Sequence, residues 1–171
     1  CMAVSLGSIF IRARPIKTEP KETAMQTVSF QLYSARNFQP FAEVFRILSD
    51  AGYSEVEGYS ALYDTLDDVA IQQVKADLDK NGLTMPTAHF SLETLETQPQ
   101  RVLDIFRTLG ITAVYCPYLL PEHRPTDAAG WHALGERLQK AGAPIREAGL
   151  VFGWHNHDFE FVKLEDGSTP Q

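Results

Sequence analysis

Near the C-terminus, VFGWHNHDFEF (residues 151–161) places two histidines, an asparagine, an aspartate and a glutamate in six consecutive positions, directly after an apolar run. Side chains of an extended strand alternate between faces. Val151, Gly153, His155 and His157 then share one face, and Phe152, Trp154 and Asn156 the other. Two imidazoles side by side at a strand end are half of a divalent metal site, to which Glu160 or Asp158 could add oxygen. The bland alternative is a pair of polar histidines hydrogen-bonded to their neighbours.

Other groups suited to chemistry lie upstream. Glu57, in EVEGY, shares its face with Glu55 and Tyr59. A partly buried carboxylate there can serve as a general base, or close a strand end as a salt bridge. His89 divides between proton transfer and a satisfied structural role. Gln31 and Tyr33 can hydrogen-bond a polyol, although Tyr33 also reads as a packed aromatic. The candidate set is Glu57, His89 and Glu160 for catalysis; Gln31, Tyr33, Tyr59, Tyr118 and Asn156 for substrate; and His155 and His157 for metal. His123 and His132 read as surface residues, and Cys116 as a small buried hydrophobe. There is no phosphate-binding loop, no GxSxG and no dinucleotide fingerprint.

A repeat positions these residues. Four times an amphipathic helical stretch ends, a glycine follows, and an apolar run rich in β-formers begins: DAGYSEVEGY, KNGLTMPTAHF, TLGITAVYCPY and EAGLVFGWHNH. Gly52, Gly82, Gly110 and Gly149 each fit the left-handed position just past a helix. The helix faces are Phe41, Val44, Phe45 and Leu48; then Leu66, Val69, Val74 and Leu78, capped by Thr65 with Asp68; then Val102, Ile105, Phe106 and Leu109. A fourth helix begins at Thr126 and runs through Trp131, Leu134, Leu138 and Ile145, with Pro144 kinking or splitting it. Strands are expected over residues 27–33, 55–59, 84–90, 112–118 and 150–157. Strand and helix alternating at this period mean right-handed βαβ units and a parallel sheet.

Two architectures contain four such units and a fifth strand: a doubly wound open sheet, and part of a (β/α)8 TIM barrel. A doubly wound nucleotide binder wants glycines after its first strand, where this chain has YSARNFQPF. A barrel wants polar groups at the C-terminal end of every strand, and all five strands supply them. The expected fold class is therefore α/β, the N-terminal part of a barrel. Residues 1–24 are expected to be a disordered extension and 25–171 the partial barrel domain. A complete barrel needs about 250 residues, so truncation after the fifth strand is expected.

Composition narrows the partners. The chain has 171 residues, is 44% hydrophobic, and carries 15 basic against 22 acidic side chains for a net charge of −7. That argues against a nucleic-acid surface and gives no attraction to an anionic membrane. Cys1 and Cys116 show no paired spacing, which fits a reducing, cytoplasmic setting. Exposed first and fifth strands would favour a homo-oligomer across the sheet edges.

QLYSAR, GYSEVEGY, AHFSLE, VYCPYLLPEHRPT and FGWHNHDFEF, in this order, resemble the sugar phosphate isomerase/epimerase family, whose fold is the xylose-isomerase-like TIM barrel. The resemblance covers Met25 to about Gly167. It implies a divalent metal (Mn, Mg, Co or Zn) holding the oxygens of a small sugar or sugar phosphate, and a carboxylate removing a proton beside the carbonyl. Many relatives place a glutamate ligand at the end of the fifth strand, where this chain has His155 and His157. Their other ligands come from strands six to eight. The implied reading is an isomerase or epimerase, or a related dehydratase or lyase, with this chain alone inactive. The competing readings are a non-catalytic five-stranded sugar- or protein-binding module and, more weakly, a relative of endonuclease IV.

Overall fold

The computed structural model describes residues 27–170. The expectation of disorder over residues 1–24 falls outside them. Five strands form one parallel sheet: β1 (Ser29–Gln31), β2 (Glu55–Gly58), β3 (Thr84–His89), β4 (Ala113–Cys116) and β5 (Val151–Trp154). Seven helices lie between them: α1 (Phe41–Asp50), α2 (Ser60–Asp64), α3 (Asp68–Lys80), α4 (Leu92–Thr97), α5 (Pro99–Leu109), α6 (Ala128–Ala141) and α7 (Ala143–Glu147).

The strand order in space is the order in sequence, β1-β2-β3-β4-β5. A right-handed crossover that always steps the same way puts every helix on the same side of the sheet. A doubly wound sheet reverses its order at a switch point and carries helices on both sides. This sheet has no reversal, so one face meets helices and the other is free for chemistry.

The helix-facing layer is dry. Val56, Met85, Ala88, Val114 and Cys116 are fully buried and pack with Phe45 of α1, Leu78 of α3, and Val102 and Phe106 of α5. A side chain of this size contributes about 1.5–3 kcal/mol on full burial, so this layer is what fixes the strand ends in space. All four expected glycines have left-handed backbones. At Gly110 (φ 77°) the turn lets two successive N–H groups, of Gly110 and Ile111, reach the Phe106 carbonyl and close the end of α5.

Several boundaries differ from the sequence reading. Asp67, not Thr65, caps α3, its carboxylate accepting from the Ala70 N–H at 2.8 Å. Thr65 instead turns its hydroxyl back to the carbonyls of Ala61 and Leu62. With that start, Ile71 takes the buried face and Val69 points to solvent. Asp127, not Thr126, caps α6. In both cases a carboxylate at the N-cap adds a favourable charge to the helix dipole. The long fourth helix splits at Gly142, and Pro144 sits in the first turn of α7, where its missing N–H costs nothing. The strands are also shorter. After β1 the chain enters a 3-10 turn, Leu32–Ala35, that carries Tyr33. β5 stops at Trp154, so His155, Asn156 and His157 stand in the loop beyond it.

Candidate functional site

Three neighbouring strands build a polar floor. Gln31 is paired in register with Glu57, and Glu57 with Thr87. The second pairing depends on an irregularity: from Glu55↔Thr84 to Glu57↔Thr87, β3 advances one residue more than β2. Without that extra residue Pro86 would stand opposite Glu57. The bulge re-aims a hydroxyl at the carboxylate.

Glu57 accepts from Gln31 Nε2 at 2.6 Å, from Thr87 Oγ1 at 2.7 Å and from His89 Nε2 at 3.2 Å. The Gln31 amide is oriented by its own oxygen, which accepts the Tyr33 N–H at 2.9 Å and turns the NH₂ group toward Glu57. Burial pushes the Glu57 carboxyl up. Hydrogen bonds from His89, Thr87 and Gln31, with the His89 charge, outweigh it and hold the group below its ordinary value. Glu57 is therefore ionised at neutral pH, with its side chain 20% exposed. His89 is nearly buried, at 7%.

The floor continues along imidazoles. The His155 ring lies 4.7 Å from that of His89, and the His157 ring 5.0 Å from His155. Partial burial, then the neighbouring His89 and His157, push the His155 pKa below the usual histidine value. The His157 ring lies edge-on to Tyr118, and its Nδ1 is buried without a hydrogen-bond partner among the described residues.

Above the floor opens a cavity of about 590 Å³. Gln31, Tyr33, Tyr59, His89, Tyr118, His155 and His157 line it, together with Ser60, Ala61 and Pro117. Seven of the ten candidate residues therefore meet at one opening. Glu57 sits beneath it, bound to the lining residues Gln31 and His89. Tyr33 and Tyr59 meet edge-to-face at 5.7 Å on one wall, and Tyr118 and Pro117 form the other. A smaller cleft of about 270 Å³, bounded by Asp64, Glu93 and Arg101, holds none of the strand-end groups.

Two candidates lie elsewhere. Glu160 is 3% exposed and its carboxylate accepts from Trp154 Nε1 at 2.8 Å and from the His157 N–H at 2.9 Å. Both oxygens are engaged by the loop itself, so the group braces the loop rather than lining the cavity. Asn156 is exposed and donates to the His157 carbonyl. Strand alternation already sets Asn156 on the face opposite His155 and His157, and in the loop beyond β5 it stays outside the cavity lining. Sequence reasoning does not single out Thr87, because its place opposite Glu57 depends on the bulge.

A divalent metal finds no ligand set here. Among the described residues no three His, Cys, Asp or Glu side chains converge as metal ligands. His155 and His157 are adjacent, but Glu57 is held by three donors and Glu160 points into the loop.

No family model matches the chain, and no curated protein matches it significantly. Solved structures do. A sugar phosphate isomerase/epimerase from Parabacteroides distasonis ATCC 8503 superposes with a TM-score of 0.69 at 23% identity, over 88% of this chain and 58% of that one. The fold is thus that of part of a xylose isomerase-like TIM barrel. An AP endonuclease of family 2 from Brucella melitensis gives 0.60 at 17% identity, over 76% of this chain and 55% of that one. A xylose isomerase-like TIM barrel protein from Mycobacterium smegmatis, in complex with magnesium, gives 0.58 at 16%, over 76% and 55%. The chain spans between half and three-fifths of the length of each. At these identities the likeness is one of fold, and one fold serves several chemistries.

Proposed function

We propose that this chain forms one wall of a sugar isomerase/epimerase site, in which Glu57 moves a proton next to the carbonyl of a small sugar. The observation that carries the reading is the ionised Glu57, held by Gln31, Thr87 and His89 beneath an aromatic-walled cavity at the C-terminal strand ends. That end of the sheet is where barrels of this kind place their chemistry.

In the proposed step the Glu57 carboxylate takes the proton from the carbon beside the carbonyl. The C–H electron pair becomes the carbon–carbon double bond, and the carbonyl electrons move onto oxygen, giving an enediolate. Return of the proton to the other face of the same carbon gives the epimer. Its delivery to the former carbonyl carbon, with the proton of the adjacent hydroxyl passing to the former carbonyl oxygen, gives the isomer, and either route restores the carboxylate. Gln31 and His89 fix the direction of the carboxylate lone pairs, and Tyr33, Tyr59 and Tyr118 offer ring faces and hydroxyls to the sugar. The net charge of −7 favours this reading over the endonuclease that shares the fold. Five strands furnish only one side of such a site, so we expect this chain alone to bind a sugar weakly and give no net product.

The test is deuterium incorporation beside the carbonyl of D-fructose in D₂O, with and without Mn²⁺, in the wild type and Glu57→Gln. Exchange that is lost in the variant supports Glu57 as the base. Binding without exchange in either protein would reduce the chain to a sugar-binding module. Net product from the wild type would refute the expectation of inactivity.

A further inference from the structure

Arg124 lies in the connection between β4 and α6, next to the cavity but outside its lining. It is half-buried, and its guanidinium makes four separate contacts. Nε donates to the Leu119 carbonyl at 3.0 Å, which anchors the group to its own loop. Nη2 donates to the Tyr118 hydroxyl at 2.6 Å. The guanidinium carbon also lies 5.1 Å from the centre of the Tyr118 ring and 3.9 Å from that of Phe159. Phe159 in turn stacks on His157, with rings 10° from parallel, and meets Tyr118 edge-on.

One side chain thus joins two loops that reach the cavity from different strands. A planar cation with donors on its edge and two usable faces can do this; an ammonium cannot. The contact with Tyr118 has a further consequence. A phenol oxygen that accepts from a guanidinium keeps its own proton free to donate. Tyr118 lines the cavity and is 43% exposed.

We infer that Arg124 is a positioning residue: it turns Tyr118 into a directed hydrogen-bond donor toward a ligand oxygen and, through Phe159, holds the His157 ring at the rim. Only the ligand oxygen rests on the sugar-site reading; the positioning of the two rings stands independently.

The experiment is side-chain NMR on the full chain without ligand, for the wild type, Arg124→Met, Arg124→Lys and Phe159→Leu. Arg124→Met is expected to move the ring signals of both Tyr118 and His157 while those of His89 and Tyr59 stay in place. Lysine is expected not to restore them. Phe159→Leu is expected to move His157 and leave the Tyr118–Arg124 contact intact, so the inference stays testable if Arg124→Met does not fold. In titrations with D-fructose, Arg124→Met should weaken binding roughly tenfold, the effect of losing one charge-assisted contact. Unmoved Tyr118 and His157 signals in folded Arg124→Met, full rescue by lysine, or an unmoved His157 in Phe159→Leu would each overturn the inference. A wild type that binds no D-fructose but shows the expected ring shifts would sink the sugar reading and leave the positioning role standing.

Discussion

At the scale of single residues, Glu57 and Glu160 show how environment divides two carboxylates that look alike in sequence. Glu57 is ionised, 20% exposed and bound beneath the cavity to the lining residues Gln31 and His89, whereas Glu160 is buried and spent on Trp154 and the His157 N–H. Because the native Glu57 carboxyl titrates below its ordinary 4.5, its contribution to stability is fully present above that value. It fades as the pH falls through the lowered native value. Glu57→Gln should therefore flatten the acid limb of stability, read as urea midpoints between roughly pH 6 and pH 3. A variant with the same acid slope as the wild type would contradict the assignment. Glu160→Ala leaves two part-buried donors without an acceptor and should cost about 2 kcal/mol, with a change in Trp154 fluorescence. Glu57 and His89 were legible as candidates because they end a polar face of an apolar strand. The separation of their role from that of Glu160 was not legible, since it depends on a loop folding back six residues onto Trp154.

At the scale of elements, the strand–helix contacts decide where the site residues stand. Gly58, at the end of β2, faces α2 so closely that an added Cβ would lie 1.7 Å from the Tyr63 hydroxyl. Tyr63 stacks on Phe90 at 4.4 Å, just past His89, and donates to Met85 Sδ. Gly58→Ala should therefore displace Tyr63 and destabilise the fold by about 2–3 kcal/mol in chemical denaturation. It should also perturb the His89 ring signals. Helix faces and the glycine turns were readable because a 3.6-residue period and a left-handed backbone each leave a local mark. The caps at Asp67 and Asp127 were misread because hydroxyl and carboxylate candidates stood within two residues of each other, and only packing of Ile71 and Leu134 chooses between them.

At the scale of the whole molecule, the described sheet is open, with β1 and β5 as its edges. Val151 on β5 is 58% exposed, and an edge strand with free backbone groups invites pairing. We expect concentration-dependent self-association in sedimentation velocity, reduced by Val151→Lys; a strictly monomeric wild type would count against it. No helix among the described residues is long and apolar enough to cross a membrane. The sequence by itself determined the alternation of strand and helix, the parallel sheet, and the candidate groups at the strand ends, because each follows from local period, turn chemistry and side-chain type. Only the tertiary structure decided which groups share a cavity. The bulge that sets Thr87 against Glu57, the return of Glu160 to Trp154 and the reach of Arg124 to Tyr118 and Phe159 are contacts between separate segments or turns. Their geometry is fixed by how the sheet and its loops pack, and no local pattern encodes it.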